Sequence, residues 1–183
     1  MKKGVKETFM DTKNFKDLCD RLLKKYGFKK KKTMYYKDSN DGIRCGVYLQ
    51  RSYYGKVYYF NYYYFLDNSD VKVFPQYFEA DVYGRITVLS KIKDWDDNYH
   101  QTDLIEYELY EEKELEKDLE KGIQDEILLP LKMGRKVILD MMKKNLCVVF
   151  KFRKKEEEIV LKKLYNATEA MGGKGQKAKS LRT

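Results

Sequence analysis

Residues 47–66, VYLQRSYYGKVYYFNYYYFL, leave this chain few folds to choose from, because eight of its seventeen tyrosines fall inside them. Tyr48, Tyr53, Tyr54, Tyr58, Tyr59, Tyr62, Tyr63 and Tyr64 stand there with Phe60, Phe65 and a lone Asn61. Aromatic and β-branched runs pack best on a pleated surface, and Tyr53-Tyr54-Gly55-Lys56 supplies a turn between them. The segment reads as a hairpin at the centre of a sheet. Taking Tyr54-Gly55 as a two-residue loop sets the register: Val47 faces Tyr62, Leu49 faces Phe60 and Arg51 faces Tyr58 on one side. On the other side Tyr48 faces Asn61, Gln50 faces Tyr59 and Ser52 faces Val57. The first side is expected to be core. The second is polar and aromatic, and tyrosine gives large contact area at low side-chain entropy cost. Tyr48, Gln50, Ser52, Tyr59, Asn61 and Tyr63 are therefore the expected partner-binding residues.

Upstream, Phe15, Leu18, Cys19, Leu22, Leu23 and Tyr26 recur at helical spacing and form one apolar stripe. Asp11 suits the N-cap and Gly27 the position just past the C-cap. Phe28–Asp38 reads as one strand, Ser39-Asn40-Asp41-Gly42 as a turn, and Ile43–Ser52 as the second strand. Asp67–Asp70 reads as a loop and Phe78–Leu89 as a fourth strand. Asp94–Asp97, around the single tryptophan Trp95, reads as another loop. Ile105, Tyr107 and Leu109 alternate with glutamates, which fits a short fifth strand, with a helix competing. Leu115, Leu119, Ile123 and Ile127 keep a four-residue spacing, so a helix is expected to end near Pro130, with Gly134 breaking it and Lys136–Lys144 starting another. Residues 147–152 fit strand or helix, and Glu156–Ala167 reads as a helix.

Composition narrows the class. With 43% hydrophobic residues in a chain of 183, one core is affordable and wholesale disorder is not expected. Cys19, Cys45 and Cys147 are odd in number and widely spaced, which suits reduced, buried thiols rather than a disulfide framework. The opening MKKGVKETFM has no apolar core of a signal sequence, and no apolar run is long enough to span a bilayer, so a cytoplasmic setting without a membrane partner is expected. The net charge of +9 is segregated. Residues 1–66 carry +10, residues 67–131 carry −11, and residues 132–183 carry +10. Such a chain can neutralise much of its own charge, and the overall basicity alone is a poor argument for a nucleic-acid partner.

The order of the pieces is familiar. A short helix precedes GFKKKKTMYYK at Gly27–Lys37, followed by LQRSYYG at Leu49–Gly55, YYFN at Tyr58–Asn61 and YGRITVL at Tyr83–Leu89. This arrangement resembles the bacterial "domain of unknown function 4304" family over roughly residues 10–140. Lys32 stands where the family pattern leads one to expect glycine. The resemblance implies an α+β fold and a bacterial or phage setting, in which small domains often serve toxin immunity or phage–host conflict; it implies no reaction.

Catalytic schemes find little support. His100 is the only histidine and sits among polar residues, which excludes two-histidine chemistry and suits a solvated loop. Glu79 and Asp81 share a strand face in this reading and, with Arg85 nearby, invite comparison with a hard-cation site; a pair of edge carboxylates balancing Arg85 accounts for them as well. Glu111-Glu112-Lys113 imitates part of a nuclease signature, but in a helical stretch. Gly172-Gly173-Lys174-Gly175 has neither the strand before nor the helix after that a phosphate loop needs.

The expectation is a single α+β domain over residues 1–171 with a flexible basic tail at 172–183. Its sheet is mainly antiparallel with four or five strands, and the N-terminal and C-terminal helices pack on it. Its expected role is non-catalytic, without cofactor or metal: binding a protein partner, a toxin or a defence or host protein, as an immunity-like or inhibitory protein. The alternative is nucleic-acid binding through Lys24, Lys25, Lys29, Lys30, Lys31 and Lys32 beside Tyr35 and Tyr36, aided by Lys174, Lys177, Lys179 and Arg182.

Overall fold

Asp11 starts the first helix, its carboxylate accepting from the Asn14 N–H at 2.7 Å. Helix α1 then runs Thr12–Lys25 and ends at Tyr26, with Gly27 beyond it at φ 79°. The computed structural model describes residues 10–66 and 74–143. The expected loop at 67–70, the elements expected at 147–152 and 156–167, and the basic tail lie outside the described residues.

Five antiparallel strands form a meander in chain order: β1 Lys29–Lys31, β2 Met34–Asp38, β3 Arg44–Arg51, β4 Tyr58–Phe65 and β5 Val82–Arg85. The β3–β4 register is the expected one, with Val47 opposite Tyr62, Leu49 opposite Phe60 and Tyr48 opposite Asn61. The strands part earlier than a two-residue loop requires. Ser52 N–H donates to the Val57 carbonyl at 2.8 Å and Tyr53–Lys56 form the tip.

Three expectations need correction. Phe28–Asp38 is a hairpin, since Lys31 pairs with Met34 across Lys32-Thr33. Lys32 makes that turn by adopting φ 55°, the left-handed region that costs a residue with a β-carbon. Phe78–Leu89 is not one strand either. Tyr77–Glu79 is a 3₁₀ turn, β5 covers four residues, and Val88–Leu89 (β6) leaves the main sheet to pair with Gln101–Thr102 (β7). Residues 105–109 contribute a single bridge, Ile105 to Tyr58, then a 3₁₀ turn at Tyr107–Leu109.

The C-terminal helices explain the four-residue spacing. Helix α2, Glu112–Gly122, passes into a π-helical stretch at Ile123–Leu128 and then α3, Leu129–Met133; Gly134 ends it at φ 81°, and α4 is Arg135–Lys143. In an α-helix each four-residue step over-rotates by about 40°. Leu115, Leu119, Ile123, Ile127 and Leu131 would then wander around the helix, yet all are buried. The wider π turns undo the drift and keep the stripe on the sheet. Pro130 leaves carbonyls upstream without its N–H, and the Tyr64 hydroxyl fills in, donating at 3.1 Å to the Glu126 and Ile127 carbonyls.

Both α1 and α2 pack on the same sheet face. Phe15, Leu18, Leu22, Val47, Phe60, Tyr62, Ile86, Leu119 and Ile127 share one core. Phe15 stacks with Tyr107 at 5.2 Å and meets Tyr58 at 5.1 Å. Gly84 is required there, because a β-carbon would lie 2.3 Å from the Tyr62 ring. No helix among the described residues is long and apolar enough to cross a membrane.

Candidate partner-binding face

The opposite face carries no α-helix among the described residues, only the 3₁₀ turn at Tyr77–Glu79, and strand alternation decides what it shows. Met34 and Tyr36 from β2, Tyr48 and Gln50 from β3, Tyr59, Asn61 and Tyr63 from β4, and Tyr83 and Arg85 from β5 all point that way. Met34, Tyr36, Tyr63, Phe65 and Tyr83 form a second, smaller cluster, with Phe74 and Ala80 laid across it.

Two nodes organise the face. Asn61 is buried, and its amide donates to the Tyr48 carbonyl at 3.3 Å and the Gln50 Oε1 at 3.4 Å. Its own oxygen accepts from Arg85 Nε at 3.1 Å. Arg85 also reaches Asp103 and lies over the Tyr59 ring, 4.2 Å from its centroid. Burial is the largest single influence and disfavours the Arg85 charge, but the Asp103 hydrogen bond and the neighbouring Tyr83, Asp103 and Tyr59 together raise the guanidinium above its ordinary value. The second node is Arg44, which is buried. It is doubly hydrogen-bonded to Asp38 and packed 4.8 Å from the Phe74 centroid.

The aromatic rings are stacked rather than scattered. Tyr48 lies parallel to Tyr77 at 5.6 Å, and Tyr63 stacks on Tyr83 at 5.7 Å. Burial and the neighbouring Tyr83 and Tyr77 raise the Tyr63 hydroxyl far above its usual range. This is a platform of neutral phenols around held guanidiniums. It has hydrogen-bonding and stacking capacity.

Of the six residues expected to contact a partner, Gln50 is exposed and Tyr48, Ser52 and Tyr59 are half-buried. Asn61 and Tyr63 are buried, so they support the face from below rather than meet a partner directly. Tyr36, Tyr83 and Arg85 were within reach of the same alternation argument. Tyr77 and Phe74 were not, because nothing local in the sequence lays residues 74–80 across the sheet.

The lysine cluster divides. Lys29 sits opposite Tyr36 and Lys31 opposite Met34, so both belong to the aromatic face, and Lys31 lies 5.1 Å from the Phe74 ring centre. Lys30 points to the helical side near Asp20 at 3.6 Å, and Lys24 pairs with the same carboxylate at 2.7 Å. Lys25 pairs with Glu120. Lys32 occupies the turn. Tyr35 is buried with its hydroxyl on Asp20 at 2.8 Å, unavailable for stacking with a base.

The candidate cation pair comes apart. Glu79 accepts from the Gln76 N–H at 2.6 Å, and Asp81 accepts from the Leu66 N–H at 2.9 Å. Among the described residues no three His, Cys, Asp or Glu side chains gather as a metal site. His100 is exposed, and Glu112, on the first turn of α2, pairs with Arg21 at 3.0 Å. Cys19 and Cys45 are free and buried, and burial pushes both thiols well up.

Fold and face together define an α+β domain in which, among the described residues, an antiparallel sheet is backed by α-helices and shows a polar–aromatic surface on its other side. The family model described as Domain of unknown function (DUF4304) matches residues 19–132, and the chain belongs to that family. No curated protein and no solved structure matches it.

Proposed function

We propose that this protein is a non-catalytic binding module that engages a protein partner through the polar–aromatic sheet face, in an immunity-like or inhibitory role in a bacterial or phage setting. The observation that carries the reading is the Arg85–Tyr59 stack, held by Asn61 beside the exposed Gln50. Arginine and tyrosine dominate the energetic centres of protein interfaces, and side chains already fixed by hydrogen bonds lose little entropy on binding. Affinity capture with the wild-type chain, followed by titration of the captured protein against Tyr59→Ala and Gln50→Ala, tests it. Binding should weaken by about 2 kcal/mol or more at Tyr59, with the fold unchanged by circular dichroism. Undiminished binding by both variants overturns the reading.

One observation favours nucleic acid as a second reading: Lys29 and Lys31 share the face with the tyrosines. Phosphate contacts with stacking platforms make single-strand sites. Against it, Asp38 and Asp103 sit on or beside the same surface, occupied with Arg44 and Arg85. A gel shift at physiological ionic strength, steeply salt-sensitive and abolished by changing Lys29 and Lys31 to Gln, would establish this alternative and displace the first.

A further inference from the structure

The two ends of the sheet differ in character. Strand β5 leaves Arg85, beside Asn61, heading toward the β3–β4 tip, and the chain returns at Ile105 beside Tyr58. The loop between β6 and β7 is thereby carried to the tip end. Exposed apolar side chains stand on the tip and on this loop. Tyr53, Tyr54 and Trp95 are 101%, 98% and 92% exposed, joined by Ile92 and Tyr99. Trp95 is held out by a built turn. Asp94 Oδ1 accepts from the Asp96 and Asn98 N–H groups at 3.0 and 2.9 Å, and the Asp94 N–H donates to the Asn98 carbonyl at 2.9 Å. The tryptophan therefore projects from a turn that is acidic on balance, with Asp94, Asp96 and Asp97 against Lys93, which pairs with Asp97 at 2.7 Å.

The opposite end holds the complement. A cleft of about 1020 Å³ opens between the end of α1, the β2–β3 turn and the α3–α4 corner. Lys37, Lys132, Arg135 and Lys136 line it over an apolar floor that includes Tyr26, Leu131 and Met133. Asp41 there is already engaged by Ser39, and Asp38 by Arg44.

We infer that the acidic Trp95 turn of one copy seats in the basic cleft of another, giving head-to-tail self-association. Charge complementarity names the occupant: an aromatic knob on a turn with a net excess of carboxylates meets an apolar cleft whose lining has a net excess of cations. The two patches lie at opposite ends of the molecule, so the contact is heterologous and generates rings or open chains rather than closed dimers. It uses surfaces separate from the proposed partner face.

The only tryptophan reports on the contact. Raising the concentration of the full chain should shift Trp95 emission to the blue and raise the weight-average mass in sedimentation, and added salt should reverse both. Trp95→Ala should weaken self-association by about tenfold or more. Two charge-reversed proteins give the decisive arm: one with Asp96 and Asp97 changed to Lys, which leaves the Asp94 turn in place, the other with Lys132 and Lys136 changed to Glu. Each alone should stay monomeric, and an equal mixture should associate again. A chain that stays monomeric with unshifted emission to millimolar concentration overturns the inference. So does a mixture that fails to associate, or Trp95→Ala that associates as well as the parent.

Discussion

At the scale of single residues, Lys32 and Glu126 each carry a measurable cost. Lys32 holds φ 55° in a two-residue turn, and glycine adopts that region without the β-carbon penalty. Lys32→Gly should stabilise the chain by about 0.5–1 kcal/mol in urea melts, after allowing for the greater freedom of glycine in the unfolded state. A loss of stability would show the turn to be relaxed with lysine. Glu126 is the other position. Burial, aided by Asp125 and opposed by the Thr87 N–H, raises its carboxyl from 4.5 to about 7. The folded state holds the proton more tightly than the unfolded state, so this group's contribution favours folding below pH 4.5 and is lost as pH rises toward about 7. The drop is on the order of 3 kcal/mol. Glu126→Gln should flatten it, which melting temperatures between about pH 5 and 7.5 would reveal against the parent.

Among the elements, the helix that follows the sheet depends on a side chain from within it. The Tyr64 hydroxyl occupies carbonyls near Pro130, so Tyr64→Phe should cost about 1–3 kcal/mol by leaving buried acceptors unmet. Pro130→Ala restores a backbone donor, and the cost of Tyr64→Phe should shrink in that background; equal costs in both would separate the two features. What could be read in advance follows from period and punctuation. The β3–β4 register was legible because side chains alternate and the turn fixes the offset. Helix α1 was legible from one stripe and two caps. The β1–β2 hairpin was hidden because its turn is Lys-Thr, with no glycine, proline or asparagine to mark it. The π stretch was present as the four-residue spacing, which is wider than an α-helix sustains. The candidate face was half legible: alternation assigned Tyr48, Gln50 and Tyr59 to it, whereas the burial of Asn61 and Tyr63 depends on tertiary contacts with β5 and residues 74–80.

For the molecule as a whole, one core lies between two helices and one side of the sheet. Leu22 sits in it fully covered, and Leu22→Ala should cost about 2–5 kcal/mol. A variant melting within a degree of the parent would mean that α1 does not pack on the sheet. The charge blocks are partly reconciled in three dimensions, since Arg21 meets Glu112 and Glu116, Lys25 meets Glu120, and Lys56 meets Glu108. These pairs join the basic N-terminal third to the acidic middle across exposed surface, where each is worth little alone.

Strand β1 has a consequence for how the molecule can evolve. It is three exposed lysines long and forms one margin of the main sheet. Short, charged margins discourage an incoming strand from continuing the ladder. Recognition by borrowed backbone pairing, which is tolerant of sequence, is disfavoured on that side. Under the proposed reading, specificity then resides in a few side chains such as Gln50 and Tyr59, whose neighbours are held by Asn61 and Arg85. Substituting those few would retarget such a binding face without disturbing the scaffold beneath it.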